Sequence, residues 1–241
     1  MRPLFLALAL LTSGCSVSGR VASEIEAVLP EAIGPAESYD VTVEGASLRT
    51  SSAERVEIVG LRVAREGAPV IDRFEAVLDD VAFDRDKKEV SSVGRARATA
   101  RVLAPDLEAY LSAQGQVSRA TLTLAEPDEV LVRVRGELAD YEVPVDLEIR
   151  GRFVTNAGRV DLDISGVKAG PISVNGAASN LERQINPVLD LTDDDIALTV
   201  TAVRVEGGAL VLEAAGDLSG LQISRVDSDS ARSVSDRRTA N

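Results

Sequence analysis

Three groupings of charged side chains sit closely enough in this sequence to do chemistry. The first is Asp190, Asp193, Asp194 and Asp195. Hard carboxylate oxygens of this kind suit calcium, but the cluster lacks the alternating ligand spacing and the glycine of a calcium loop. A solvated turn between a helix and a strand is the plainer assignment, and no metal site is assigned. The second is Asp79-Asp80 with Asp84 and Asp86, which invites a paired-carboxylate reading for acid–base work. Neighbours on a strand point to opposite faces, so a wet edge accounts for them more simply. The third is the stripe Arg95, Arg97 and Arg101, whose planar guanidinium forks suit phosphate. The same spacing makes a solvent face that pairs with acids on adjacent strands, such as Glu75 or Asp79, and that is the reading adopted here.

The rest of the inventory excludes most catalytic designs. The chain has no histidine, which removes the commonest general base and the commonest metal ligand. No GxSxG elbow, GxGxxG loop or GxxxxGK[ST] loop occurs, so neither a serine nucleophile nor a cofactor is implied. Lys87, Lys88 and Lys168 are the only lysines, and none sits in a motif. An enzyme is therefore not expected. The formal charge of −13 repels nucleic-acid backbones, so nucleic acid is not a partner. General surface charge would not hold the chain to anionic lipid either.

The single cysteine, Cys15, stands at the end of MRPLFLALALLTSGC. Arg2 is a minimal charged n-region, and Leu4 to Leu11 is an apolar run too short to span a bilayer but suited to a signal peptide. Thr12-Ser13-Gly14-Cys15 resembles a bacterial lipobox. Residues 1–14 then read as a lipoprotein signal peptide and Cys15 as the acylated first residue of the mature chain, anchored in the membrane. An ordinary signal peptide that leaves a free thiol is the alternative. Ser16, where aspartate would signal inner-membrane retention, favours an outer-membrane, envelope location.

These groups must be positioned by strands and short helices. From Gly94 to Val102 the chain alternates strictly: Arg95, Arg97, Thr99 and Arg101 on one face, and Ala96, Ala98, Ala100 and Val102 on the other. Alanines cannot fill a core alone, so that face either takes a close-packed helix or keeps a cavity. Helical spacing appears at Arg20–Ile33, with Leu29 and Ile33 on the apolar side. It recurs after Pro105, with Leu107 and Leu111, and from Ala177 to Leu189, with Leu181, Ile185 and Leu189. The remainder reads as roughly nine to eleven antiparallel strands, with phase slips at Val59-Gly60 and after Leu78, and turns at Asn156-Ala157-Gly158 and Gly207-Gly208. The expected fold is α+β, a long curved antiparallel sheet with three short helices, in one domain over residues 15–223. Residues 224–241 hold little to bury and read as a disordered tail.

The segments LPEAIGPAESYDVTVEG, DDVAFDRDKKEVSSVGRARATARVLAPDLEAYL, VPVDLEIRGRF, RVDLDISGVKAG, LERQINPVLDLT and VTAVRVEGGALVLEAAG follow one another from about Glu24 to Gly216. In order and wording they resemble the LmeA-like phospholipid-binding family of bacterial envelope proteins. That resemblance implies a tubular lipid-binding (TULIP-like) architecture, a sheet wrapped around helix with an apolar cavity. It also implies binding of phospholipid or another acyl-chain lipid precursor, in envelope lipid handling or glycolipid and polysaccharide assembly. On that basis Leu29, Ile33, Ala96, Ala98, Ala100, Leu107, Leu111, Leu181, Ile185 and Leu189 are the expected lipid-lining residues. A non-catalytic envelope scaffold with a filled core is the competing expectation.

Overall fold

Valine, isoleucine and leucine alternate with charged residues through most of the chain, and that period makes strands with one apolar and one wet face. The computed structural model describes residues 17–47, 49–84, 89–113, 119–137, 144–156, 158–174, 176, 178–190 and 198–217. In chain order the elements are α1 (Val17–Ala32), β1 (Ser38–Glu44), β2 (Ser52–Val63), β3 (Ile71–Asp84), β4 (Glu89–Ser92), β5 (Arg95–Leu103), α2 (Ala104–Ala113) and β6 (Arg119–Ala125). They continue with β7 (Glu129–Glu137), β8 (Pro144–Asn156), β9 (Arg159–Ala169), β10 (Ile172–Ser173), α3 (Ala178–Ile185), β11 (Leu189–Asp190), β12 (Thr199–Glu206) and β13 (Ala209–Asp217).

The architecture is α+β, with every strand pair antiparallel. The expected long sheet is present as sheet A, ordered β1-β2-β3-β5-β13-β12 with β4 beside β3. A second sheet, B, is ordered β10-β9-β8-β7-β6 with β11 beside β9. Among the described residues the strand count exceeds the expected range because β4, β10 and β11 have only 4, 2 and 2 residues, too few to display a period. Residues 1–16, which include Cys15, the tail 224–241, Asp86 and Asp193 to Asp195 lie outside the described residues.

Local chemistry explains where the sequence period and the structure part company. The slip expected at Val59-Gly60 is absent, because Ile58, Val59 and Gly60 face Ala76, Glu75 and Phe74 in unbroken register. Gly60 is an inner-face residue, and its missing side chain accommodates Tyr39: a Cβ there would lie 2.8 Å from the tyrosine ring. The break comes instead at Arg62, whose φ is +52°. It leaves Leu61 on the wet face, 37% exposed, while Val63 is buried. The slip in β3 does occur, at Asp80 (φ +56°), where the Gly94 amide donates to both the Asp79 and Asp80 carbonyls. The turn at Gly207-Gly208 closes the β12–β13 hairpin with φ of +56° and +71°, conformations that glycine adopts without a Cβ clash. The third helix is shorter than expected. Pro187 has no amide hydrogen and disfavours helix at Asn186, so α3 stops at Ile185. Leu189 is consequently not a helix residue; its backbone pairs with Val160 as part of β11.

Two apolar clusters follow from these pairings. One joins α1 to sheet A through Ala22, Ile25, Leu29, Val41, Val43, Val56 and Ile58. The other joins sheet B, α2 and the far end of sheet A through Leu107, Leu122, Ile149, Phe153, Val160, Val102 and Leu210. Each helix also closes a strand edge with its side chains. Glu26 of α1 accepts from the Val41 amide at 3.2 Å, and Glu108 of α2 accepts from the Leu122 amide at 2.6 Å. Ser112 of α2 accepts from the Ala120 amide at 3.3 Å. Glu182 of α3 accepts from the Ile164 amide at 2.8 Å. Asn186 does double work on Leu162: its Oδ1 accepts from the amide at 2.7 Å, and its Nδ2 donates to the carbonyl at 3.0 Å. Asn186→Ala leaves both groups of a buried strand residue unpaired, and is expected to destabilise the protein by roughly 1–3 kcal/mol in urea unfolding.

Candidate functional site

Directly opposed residues in an antiparallel sheet share a face, so the register decides which side chains meet. Across the inner face of sheet A one row reads Val41, Ile58, Ala76, Ala98, Ala214 and Val200. The row on one side is Val43, Val56, Leu78, Ala96 and Gly216. The row on the other is Tyr39, Gly60, Phe74, Ala100, Leu212 and Val203. The middle of the sheet is thus paved with Ala76, Ala96, Ala98, Ala100, Ala214 and Gly216, none carrying more than a methyl group. α1 covers the β1 side of this strip, and sheet B covers the β12 side. Between them Ala98, Ala100, Ala214, Gly216, Phe74 and Leu78 stay partly exposed.

The expected lining residues divide across this strip. Leu29, Ile33, Ala96 and Ala98 belong with the α1 cluster. Ala100, Leu107, Leu111, Leu181 and Ile185 belong with the cluster of sheet B. Leu29, Ala96 and Leu107 are buried inside their clusters, whereas Ile33, Ala98, Ala100, Leu111, Leu181 and Ile185 keep an open side. Ala76, Ala214 and Gly216 complete the strip. Their small size was readable in the sequence, but their place beside Ala98 depends on pairing between strands far apart in the chain.

The charged groups turn outward and satisfy one another. Asp79 is met by Arg97 at 3.5 Å, Arg55 at 3.9 Å and Arg95 at 4.0 Å. Glu75 takes Arg73 rather than the stripe, and Arg101 lies 4.0 Å from Asp72. The arginine stripe is therefore a matched outer face. Among the described residues no group of three or more His, Cys, Asp or Glu could hold a metal ion. The Asp190 backbone pairs with that of Arg159 in β11.

Where β5 turns into α2, the Arg62 guanidinium makes a bidentate pair with Asp106, at 2.6 and 2.8 Å, and lies 3.6 Å from Asp72. The Asp106 hydrogen bonds push the Arg62 pKa further up, so it stays charged throughout the accessible pH range. The pair ties the bend in β2 to the first turn of α2. Just past this same end of β2 lies an open pocket of 540 Å³ lined by Glu31, Ala32, Ile33, Gly34, Pro35, Ala64, Arg65 and Glu66. Its floor depends on Gly34 (φ +138°), where a Cβ would fall 2.3 Å from the Ala64 carbonyl oxygen. Of the expected lining residues, this cavity includes Ile33 alone. Arg62→Gln removes the fork from Asp106, and amide exchange in residues 104–113 is then expected to accelerate relative to α1 in hydrogen-exchange mass spectrometry.

Among the described residues no helix is long and apolar enough to cross a membrane. No curated protein and no solved structure is detectably similar to the chain. The profile of the LmeA-like phospholipid-binding family does match, and it runs over residues 16–215, from the residue after Cys15 nearly to the end of β13. With sheet B, all three helices and nearly all of sheet A inside that match, the chain belongs to the LmeA-like phospholipid-binding family.

Proposed function

We propose that this protein is a lipid-anchored envelope protein that binds a phospholipid or acyl-chain lipid precursor along the inner face of sheet A. The observation that carries the reading is the family match over residues 16–215 taken with the partly exposed strip at Ala98, Ala100 and Ala214. In this reading the acyl chains lie over the alanines, between α1 and sheet B, in a tubular arrangement of the TULIP kind. Shielding about ten methylenes from water is worth around 8 kcal/mol before ordering costs. Such binding needs no cation on the strip, in keeping with arginines committed to the outer face. The protein acts by holding lipid rather than by catalysis, in envelope lipid handling or in assembly of surface glycolipid or polysaccharide. Residues 1–14 serve as a lipoprotein signal peptide, and acylated Cys15 tethers a single domain, residues 15–223, to the membrane, the outer one where there are two.

A second reading draws on the deep burial of Leu29, Ala96 and Leu107, at 5%, 3% and 3% exposure. These side chains fill cores, as they would in a scaffold lipoprotein that works through protein contacts. Ala98→Phe separates the two readings. It fills the strip, and excluding even two methylenes costs about 1.6 kcal/mol, so uptake of fluorescent phospholipid is expected to fall by about tenfold or more. Thr99→Leu, on the opposite face, should leave uptake unchanged. Purified protein that carries no lipid in native mass spectrometry and takes up none would leave the scaffold reading in place. For the anchor, Cys15→Ser is expected to abolish incorporation of labelled palmitate; continued labelling would remove Cys15 as the acylated residue.

A further inference from the structure

One large apolar side chain among the described residues stands well out of the surface. Ile172 is 65% exposed, against 40% for Val28, 38% for Val17 and 37% for Leu61. It sits at the tip of the β9–β10 hairpin beside exposed Pro171, after a turn at Gly170 (φ +57°). The tip is held in place: Ile172 pairs with Ala169, Ser173 pairs with Lys168, and the Val174 amide donates to the Val167 carbonyl at 2.9 Å.

The hairpin's own sequence differs in charge from the rest of the chain. The chain carries 39 acidic residues, yet none occurs from Ile164 through Leu181. The one charge in that stretch is Lys168, which is exposed and has no ion-pair partner among the described residues. Its cross-strand neighbour Glu148 is already taken by Arg150 at 3.1 Å and Arg133 at 3.4 Å. In a chain of net charge −13, the hairpin's own residues thus make a small cationic and apolar tip.

We propose that the β9–β10 hairpin tip is where the protein touches a phospholipid bilayer, with Pro171 and Ile172 entering the headgroup boundary and Lys168 set against lipid phosphate. The proposal rests on the phospholipid-binding reading, because a lipid with two acyl chains must be collected from, or returned to, a bilayer. A single apolar residue on a firm turn covers far less than the roughly 800 Å² per partner of a stable protein interface. It does suit shallow insertion, with the lysine stem lying along the interface and its ammonium among the headgroups.

The protein has no tryptophan, so Ile172→Trp supplies a lone reporter. The test uses residues 16–241, which hold every described element and lack the acyl anchor, with vesicles of phosphatidylcholine and phosphatidylglycerol. The Ile172→Trp emission is expected to shift to the blue on adding vesicles, while that of Val28→Trp on α1 stays put. Ile172→Asp should lower vesicle co-sedimentation by about tenfold or more. Lys168→Gln should lower it by about fivefold, and only when phosphatidylglycerol is present. Both variants should still take up fluorescent phospholipid presented in detergent micelles, which leaves the inner-face reading standing. An unshifted Ile172→Trp spectrum, or variants that sediment like the parent, overturns the proposed docking tip. Failure of the parent protein to take up lipid from micelles removes the phospholipid reading, and the tip with it.

Discussion

An open sheet has edges, and an unpaired edge is a row of amides and carbonyls that must find partners. This protein has two open sheets, and the arrangement of its helices follows from that need. α1, α2 and α3 each bury an apolar face, and each also sends a carboxylate to a strand amide: Glu26 to Val41, Glu108 to Leu122 and Glu182 to Ile164. The same requirement acts where the sheets meet. The Val205 amide of β12 donates to the Pro127 carbonyl at 2.6 Å, and the Gly207 amide donates to Glu126 at 3.2 Å. Helix position is thus fixed by hydrogen bonds to strand backbone as well as by hydrophobic contact, which explains why helices of 8 and 10 residues are held firmly enough to build on.

That fixing is what leaves part of the middle of sheet A only half covered. α1 is tied to the β1 edge and sheet B is joined at the β12 edge, so Phe74 and Leu78 of β3, Ala98 and Ala100 of β5, and Ala214 and Gly216 toward the end of β13 are only partly covered. A core built across this region would need leucine or phenylalanine at Ala98, Ala100 and Ala214. The chain instead supplies methyl groups, and a surface of this kind is complementary to a flexible hydrocarbon chain. Charge is kept away from it: the outer face carries matched arginines and acids, with Asp79 shared by three guanidinium groups.

How much of this was legible before folding depends on the range of the interaction. Strand faces, the hairpin turns at Asn156–Gly158 and Gly207-Gly208, and the apolar sides of α1 and α2 could be read from local period, because each is set within a few residues. The end of α3 could not, although Pro187 was visible, because the apolar spacing continues through Val188 and Leu189 past the point where Asn186 turns to bond Leu162. The bend at Arg62 was hidden because Gly60 looks like a break and is in fact an inner-face residue making room for Tyr39. The split into two sheets was out of reach, since it follows from β13 joining β5 instead of sheet B. The alanine strip was half legible: Ala96, Ala98 and Ala100 announce themselves on one strand, while Ala76 and Ala214 become their neighbours only through long-range register.

The edge bonds have a further consequence, for the order in which the chain assembles. Glu26 and Val41 are 15 residues apart, Glu108 and Leu122 14, Glu182 and Ile164 18. Each seal therefore forms within a short loop, at small entropic cost and soon after its strand exists. A nascent polypeptide can shut its own exposed strand before a neighbouring copy reaches it, leaving the union of the two halves across Val102, Leu210 and Val205 as the slow, long-distance step. For a β-rich protein crowded beside its siblings, local closure of this kind is a defence against aggregation written into the spacing of three glutamates.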